Sequence, residues 1–188
     1  MGCKFLGFLL VLAGSSLAAP QVLPKANLFA GYSFQNADVN SNGSNRAHLN
    51  GWEASLEGKL LPFIGLVLDF SGHYGSADVT NPSLCSVCQS PQPVHDSEHN
   101  FLLGPRVSVG LGHFRPFVHG LFGGAHVKID GTGFSTTDTS FATALGVGLD
   151  YRIAGPLEWR FQGDYLQTRF FSSKQNNYRL ATGIVLAF

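Results

Sequence analysis

Charge is scarce in this chain of 188 residues: Asp, Glu, Lys and Arg make up 13%, and 12 basic side chains balance 12 acidic ones. A zero net charge excludes a nucleic-acid binder that works through a basic stripe. Sparse charge with 12% aromatics also excludes a coiled coil and a disordered chain. Long apolar runs are missing as well. No stretch after residue 20 approaches the roughly 18 consecutive apolar residues of a transmembrane helix. Cysteine is rare, with 3 in all, and methionine occurs once. What is abundant is Gly (23) and Phe (16), a composition that favours strands and turns over helices. The length suits one domain with a core able to fold unaided. These features together point to an all-β protein.

The N-terminus reads as an export signal. Lys4 supplies the positive start, Phe5 to Ala13 form a short apolar stretch, and Ser16, Leu17 and Ala18 make a small-x-small cleavage site. Cleavage after Ala18 is expected, since a cut after Ala19 would leave Pro20 first. The chain then divides into a cleaved signal (1–18), a short segment (19–25) and one β domain (26–188). Cys3 precedes the apolar run, so it forms no lipobox and leaves with the signal; Cys85 and Cys88 remain.

Beyond the signal, hydrophobicity alternates with a period of two. From Trp52 to Leu60 one face reads Trp, Ala, Leu, Gly, Leu and the other Glu, Ser, Glu, Lys. Such runs predict eight strands, at about 26–35, 49–60, 64–75, 99–109, 114–127, 141–153, 157–167 and 177–188. In the fifth, Phe117 and Leu121 compete with Pro116, Val118 and Phe122 for the apolar face. Tight turns at 61–63, 110–113 and 154–156 alternate with polar loops at 36–48, 76–98, 128–140 and 168–176. Short turns at one end and long loops at the other are the plan of a transmembrane barrel.

The two faces decide between a soluble and a membrane barrel. One carries Leu28, Leu56, Leu66, Leu68, Leu103, Val107, Leu145, Val147, Leu149, Phe161, Ile184 and Leu186. The other carries Glu53, Glu57, Lys59, Asp69, Arg106, Arg115, Asp150, Arg152, Glu158, Arg160, Asp164 and Arg179, six acids and six bases. A narrow lumen requires this balance, because a buried charge costs several kcal/mol unless it is paired. The aromatics of the apolar face also sort by height. Tyr32, Trp52, Tyr74, Phe101, Phe122, Phe141, Tyr165 and Tyr178 fall at the long-loop end; Phe114, Tyr151, Trp159 and Phe188 fall at the short-turn end. Ten residues separate Phe141 from Tyr151, roughly 24 Å of height for a tilted strand. The expectation is therefore a closed, antiparallel, up-and-down, eight-stranded transmembrane β-barrel, with strand one paired to strand eight so that no polar edge meets lipid. Gly104, Gly146, Gly148 and Gly183 face inward and make room for the long arginines.

The chain resembles the small eight-stranded outer-membrane barrels of the OmpA/OmpX type as stand-alone domains. The resemblance rests on residues 28–34 (Leu-Phe-Ala-Gly-Tyr-Ser-Phe), 101–106 (Phe-Leu-Leu-Gly-Pro-Arg), 115–117, 146–151, 164–165 and the last strand, 178–188. It implies residence in the outer membrane of a Gram-negative envelope and contact with outer-membrane lipid. It also implies recognition by the barrel-assembly machinery through Tyr178, Leu180, Ile184, Leu186 and Phe188. The peptidoglycan-binding domain that follows the barrel in OmpA itself has no counterpart before Phe188, so that anchoring role is not expected.

No cofactor, metal site or nucleic-acid partner is expected, and the barrel reads as a monomer. Cys85 and Cys88 lie in the longest loop with His95 and His99 following, a spacer too short for a zinc finger; in an oxidising compartment they read as a local disulfide, with two free thiols or a Cys/His metal site as the alternatives. His73, His113, His119 and His126 invite a catalytic reading, but loop-edge and lumen histidines held in hydrogen bonds are the leading one. Some lipid-modifying barrel enzymes place a His/Ser/acid set at the outer lipid boundary, where His126 would sit, but no Ser stands two residues after it. Ser135, Ser140 and Thr143 are the nearby nucleophiles. The leading expectation is a non-catalytic envelope or surface-contact protein working through four long loops. A lipid-modifying enzyme, a secreted lipocalin-like carrier with the apolar face inward and a narrow channel are the alternatives.

Overall fold

A computed structural model describes residues 25–38, 46–79, 92–131, 134–169 and 174–188. They form eight strands: β1 (Ala26–Asp38), β2 (Arg46–Lys59), β3 (Ile64–Val79), β4 (Gln92–Ser108), β5 (Phe114–Gly131), β6 (Phe134–Ala154), β7 (Leu157–Thr168) and β8 (Gln175–Ala187). All neighbours are antiparallel and the sheet closes β1 on β8, with Asn27 opposite Ala187 and Asn36 opposite Tyr178. Phe188 completes the seam by exchanging both backbone hydrogen bonds with Ala26, at 2.7 and 2.9 Å. Closure leaves no unpaired edge for lipid to meet.

Three tight connections sit at one end. Two need a left-handed residue and have glycine there: Gly112 (φ 67°) and Gly155 (φ 53°). The signal region and the loop containing Cys85 and Cys88 lie outside the described residues.

Every expected strand is present, but several overrun their expected bounds at the long-loop end. β4 begins at Gln92 rather than 99, and β6 at Phe134 rather than 141. Apolar alternation stops where lipid stops; hydrogen-bond pairing continues into water and needs no apolar face. β6, with 21 residues, rises about 50 Å at a 45° tilt, twice the apolar band, whereas β7 has 12. β3 to β6 therefore stand as a tall palisade on one side of the rim.

The orientation of the two faces is clear. Leu145, Val147 and Phe161 are 58–68% exposed on the outside, while Arg106, Arg160 and Arg179 are at most 1% exposed inside. This overturns the carrier alternative, which needs the apolar face inward. In β5, Val118 and Phe122 point out and Phe117 and Leu121 point in. The lumen is not purely polar: Phe29, Leu49, Val67, Leu102, Phe117, Leu121, Leu166 and Val185 are buried with the charges.

Candidate functional site

The inward charges form two bonded clusters, one through Arg106 and Arg179 and one through Arg115 and Arg160, which meet at the Phe117 ring. At the short-turn mouth, Lys59 donates to Ser108 Oγ (2.5 Å) and pairs with Glu57 (2.9 Å). Arg115 pairs with Glu158 and Asp150, and Arg152 reaches Glu158 at 3.6 Å. Arg152 remains half exposed, so the sequence expectation that it belongs to the interior holds only at the mouth. Lys59, Ser108, Arg115, Arg152 and Glu158 floor an open vestibule of about 830 Å³.

One layer up, Arg106 donates to Glu57 Oε2 (3.3 Å) and to His119 Nδ1 (3.1 Å). A guanidinium only donates, so Nδ1 accepts and Nε2 carries the proton that His119 gives to Asp164 Oδ1 at 2.7 Å. Arg160 binds Asp150 with two parallel bonds of 2.7 and 2.9 Å. The Phe117 ring lies under both guanidinium groups, 4.1 Å from Arg106 and 4.8 Å from Arg160, and separates two like charges.

At the next level Arg179 binds Asp164, Asp69 and Glu53, and its Nη1 also donates to Ser71 Oγ (3.1 Å). Three carboxylates around one guanidinium would repel, and neighbours relieve them. Gln162 donates to Glu53 and Asp164, and His119 to Asp164. Above, His73 bonds Ser33 (2.9 Å), and Asn100 and Gln35 both donate to Glu98, at 3.0 and 2.8 Å.

The structure thus brings together all twelve charges expected on the inner face. Sequence reading missed Glu98, because β4 was expected to start at 99. It read His73 and His119 mainly as lumen or loop-edge histidines in hydrogen bonds, with catalysis as the alternative; both are buried and hydrogen-bonded. Two glycines leave the space this needs. A Cβ on Gly146 would sit 1.9 Å from Asp164 Oδ1, and one on Gly148 would sit 2.2 Å from the Phe117 ring.

The outer face carries a second cluster, at the long-loop boundary. His99 and His126 are direct cross-strand partners, and Thr139 is opposite His126 on the far side. His126 Nδ1 lies 2.7 Å from Thr139 Oγ1, and His99 Nε2 lies 3.0 Å from the Tyr74 hydroxyl. The nucleophiles expected from sequence are elsewhere: Ser135 is paired with Asp130, Ser140 accepts from the Arg169 amide (3.2 Å), and Thr143 is opposite Phe122. The hydroxyl next to His126 is that of Thr139, which a two-residue period from His126 could not reveal because it arrives from the neighbouring strand.

The chain matches the family described as "Outer membrane protein beta-barrel domain" over residues 6–188. A search among curated protein sequences finds no match. Three solved structures share the fold at low identity. Neisserial surface protein A (NspA) superposes with TM-score 0.64 and 10% identity, covering 87% of this chain and 97% of that one. OprG of Pseudomonas aeruginosa gives 0.59 and 12%, covering 88% and 96%. The attachment invasion locus protein Ail of Yersinia pestis, in complex with the heparin analogue sucrose octasulfate, gives 0.58 and 13%, covering 86% and 98%.

Proposed function

Because the chain belongs to the outer-membrane β-barrel domain family and is an integral outer-membrane barrel, we propose that it acts without catalysis, as a filled membrane scaffold that presents a raised surface to the outside. The observation that carries this is the pairing of a packed lumen with an uneven rim. At mid-height Arg106, Arg160, Arg179, Phe29 and Phe117 occupy the interior, and eight strands enclose room for little else. Above it β3 to β6 extend well past the apolar band. That palisade is the part available for contact, since loops and rims carry recognition on rigid scaffolds. The name and ligand of Ail, a barrel of the same fold, are compatible with such a role.

The last strand supports insertion by the assembly machinery: Tyr178, Leu180, Leu186 and Phe188 are presented outward in alternation, with Ile184 half-buried among them. Lipid is the expected surround, and the closed sheet is compatible with a monomer.

A deletion strain complemented with either the full chain or a version whose β5–β6 palisade is replaced by a short turn tests the proposal. Full-length protein restores both detergent resistance and surface adherence. The shortened form restores only resistance. If neither phenotype changes on deletion, or if the purified barrel conducts steadily in planar bilayers, the scaffold reading is wrong.

The Thr139–His126 hydrogen bond supports a second reading, a lipid-modifying enzyme with Thr139 as nucleophile and His126 as base. A lipid A mass profile that shifts on expression of the wild type and not of T139A would favour it over the scaffold.

A further inference from the structure

Among the described residues, two dents in the lipid-facing surface stand out. The larger, about 530 Å³, lies over Gly163 between Val147, Phe161 and Leu180, and no charged side chain lines it. The smaller, about 370 Å³, lies over Gly124, where a Cβ would meet nothing within 4 Å. Phe70 and Phe101, packed edge to face at 4.7 Å, form one wall. The Trp52 indole reaches the same dent across Gly72, whose Cβ would lie 2.8 Å from Nε1. Two residues further toward the rim, His99 and His126 close its upper edge with Thr139.

This placement joins two chemistries. Below the edge the surface is apolar and belongs to acyl chains. At the edge two cross-strand imidazoles, with Cβ atoms about 5 Å apart, stand in the aromatic belt that marks the headgroup level. Their hydrogen bonds to Tyr74 and Thr139 engage one nitrogen of each ring. Among the described residues the second nitrogen of each has no protein partner. Lys128, exposed one step further out beyond His126, pairs with Asp130 at 2.7 Å, and Asp138 lies on the next strand on the opposite face. The edge therefore offers imidazole donors, a lysine and two hydroxyls, a set that suits phosphate.

We propose that this dent is a binding site for a lipid bearing a phosphate monoester. One acyl chain lies over Gly124 beside Phe101, and the phosphate accepts hydrogen bonds from His99 and His126, with Lys128 adding attraction. The Gly163 dent, equally apolar but without cations, receives chains without headgroup preference.

Trp52 is a built-in reporter, because bromine atoms on an acyl chain quench an indole they touch. In a W159F background Trp52 is the remaining tryptophan. The folded barrel in phosphatidylcholine bilayers is titrated with brominated phosphatidic acid or with brominated phosphatidylcholine of the same chain. Quenching by the phosphatidic acid is expected to be stronger by about tenfold in apparent affinity, the scale of one charge-assisted hydrogen bond. The preference disappears in H99A/H126A, and a bulky G124L weakens quenching by both lipids. G163L, a filling of the other dent, leaves the preference intact. Folding of each variant is checked by its gel mobility before and after boiling, and H99Q/H126Q replaces the alanine pair if that fails to fold. Equal quenching by the two lipids in the parent, or a preference that survives loss of both histidines, overturns the proposal.

Discussion

Arg179 on β8 reaches Asp69 on β3, three strands round the barrel, with Nη1 donating to Oδ1 at 2.9 Å and neither side chain exposed to any extent. The bond ties opposite walls together through the lumen, and the same guanidinium binds Asp164 and Glu53. A barrel of this width is held by such cross-lumen ties as well as by its backbone ladder.

Replacing Arg179 by Met leaves three carboxylates facing one another in a buried space. The expected loss is about 3–5 kcal/mol, the usual result of removing one partner from a buried ionic group. Urea unfolding followed by tryptophan fluorescence in lipid bilayers measures it. R179K recovers only part, because an ammonium has no planar fork to serve several carboxylates.

Gly146 and Gly163 face opposite ways, so the same substitution has opposite consequences. Alanine at 146 drives a methyl into the His119–Asp164 hydrogen bond and is expected to cost about 1–3 kcal/mol. At 163 the nearest atom to a new Cβ is Leu180 Cδ2 at 3.2 Å, the end of a lipid-facing side chain. G163A is expected to be neutral or slightly stabilising, since alanine reduces unfolded-chain freedom. Paired unfolding curves check both.

Phe117 separates Arg106 from Arg160. F117L keeps most of the volume and removes the ring face, so about 1–2 kcal/mol is expected to be lost as the two cations lose their π partner. A double-mutant cycle of F117L with R106M gives a coupling energy of that size; a coupling near zero argues against the ring's electrostatic part.

Arginine at Val147, near mid-height outside, is expected to cost about 2–4 kcal/mol, and at Thr137 on the palisade close to nothing. A spin label at Val147 in bilayers collides with oxygen more than with a water-soluble nickel complex, and a label at Thr137 shows the reverse.

Asp96 stands inside the rim above the belt residue Tyr74, and burial pushes its carboxyl up to about 6. The folded state then holds a proton that the unfolded chain has already released, so stability falls as pH rises from about 4 to about 6. The whole effect is at most about 3 kcal/mol. D96N is expected to flatten this part of the stability–pH curve.

The architecture was legible because lipid enforces a strict rule. Each spanning residue faces either acyl chains or the lumen, so a period of two with Val147 on one face and Asp150 on the other already encodes strand and orientation. The outward aromatics, Tyr32, Trp52 and Tyr151 among them, were legible for the same reason. β4 shows where this rule ends. Above the membrane its residues 92–98 pair with β3 without an apolar face, and Glu98 was read as loop although it closes the top of the lumen. The phase of β5 was ambiguous because Phe117 is as greasy as Val118. Phe117 points inward because two arginines there offer its ring a partner.

The order of greasy and polar residues along the chain determined that this protein is an eight-stranded barrel with lipid outside and ions within, because the bilayer tolerates no other arrangement of those faces. Only the closed structure decided which ions meet. Arg179 with Asp69, Arg106 with His119 and His126 with Thr139 come from strands whose mutual register and stagger no local pattern records. That pairing is set by the shear of the whole cylinder.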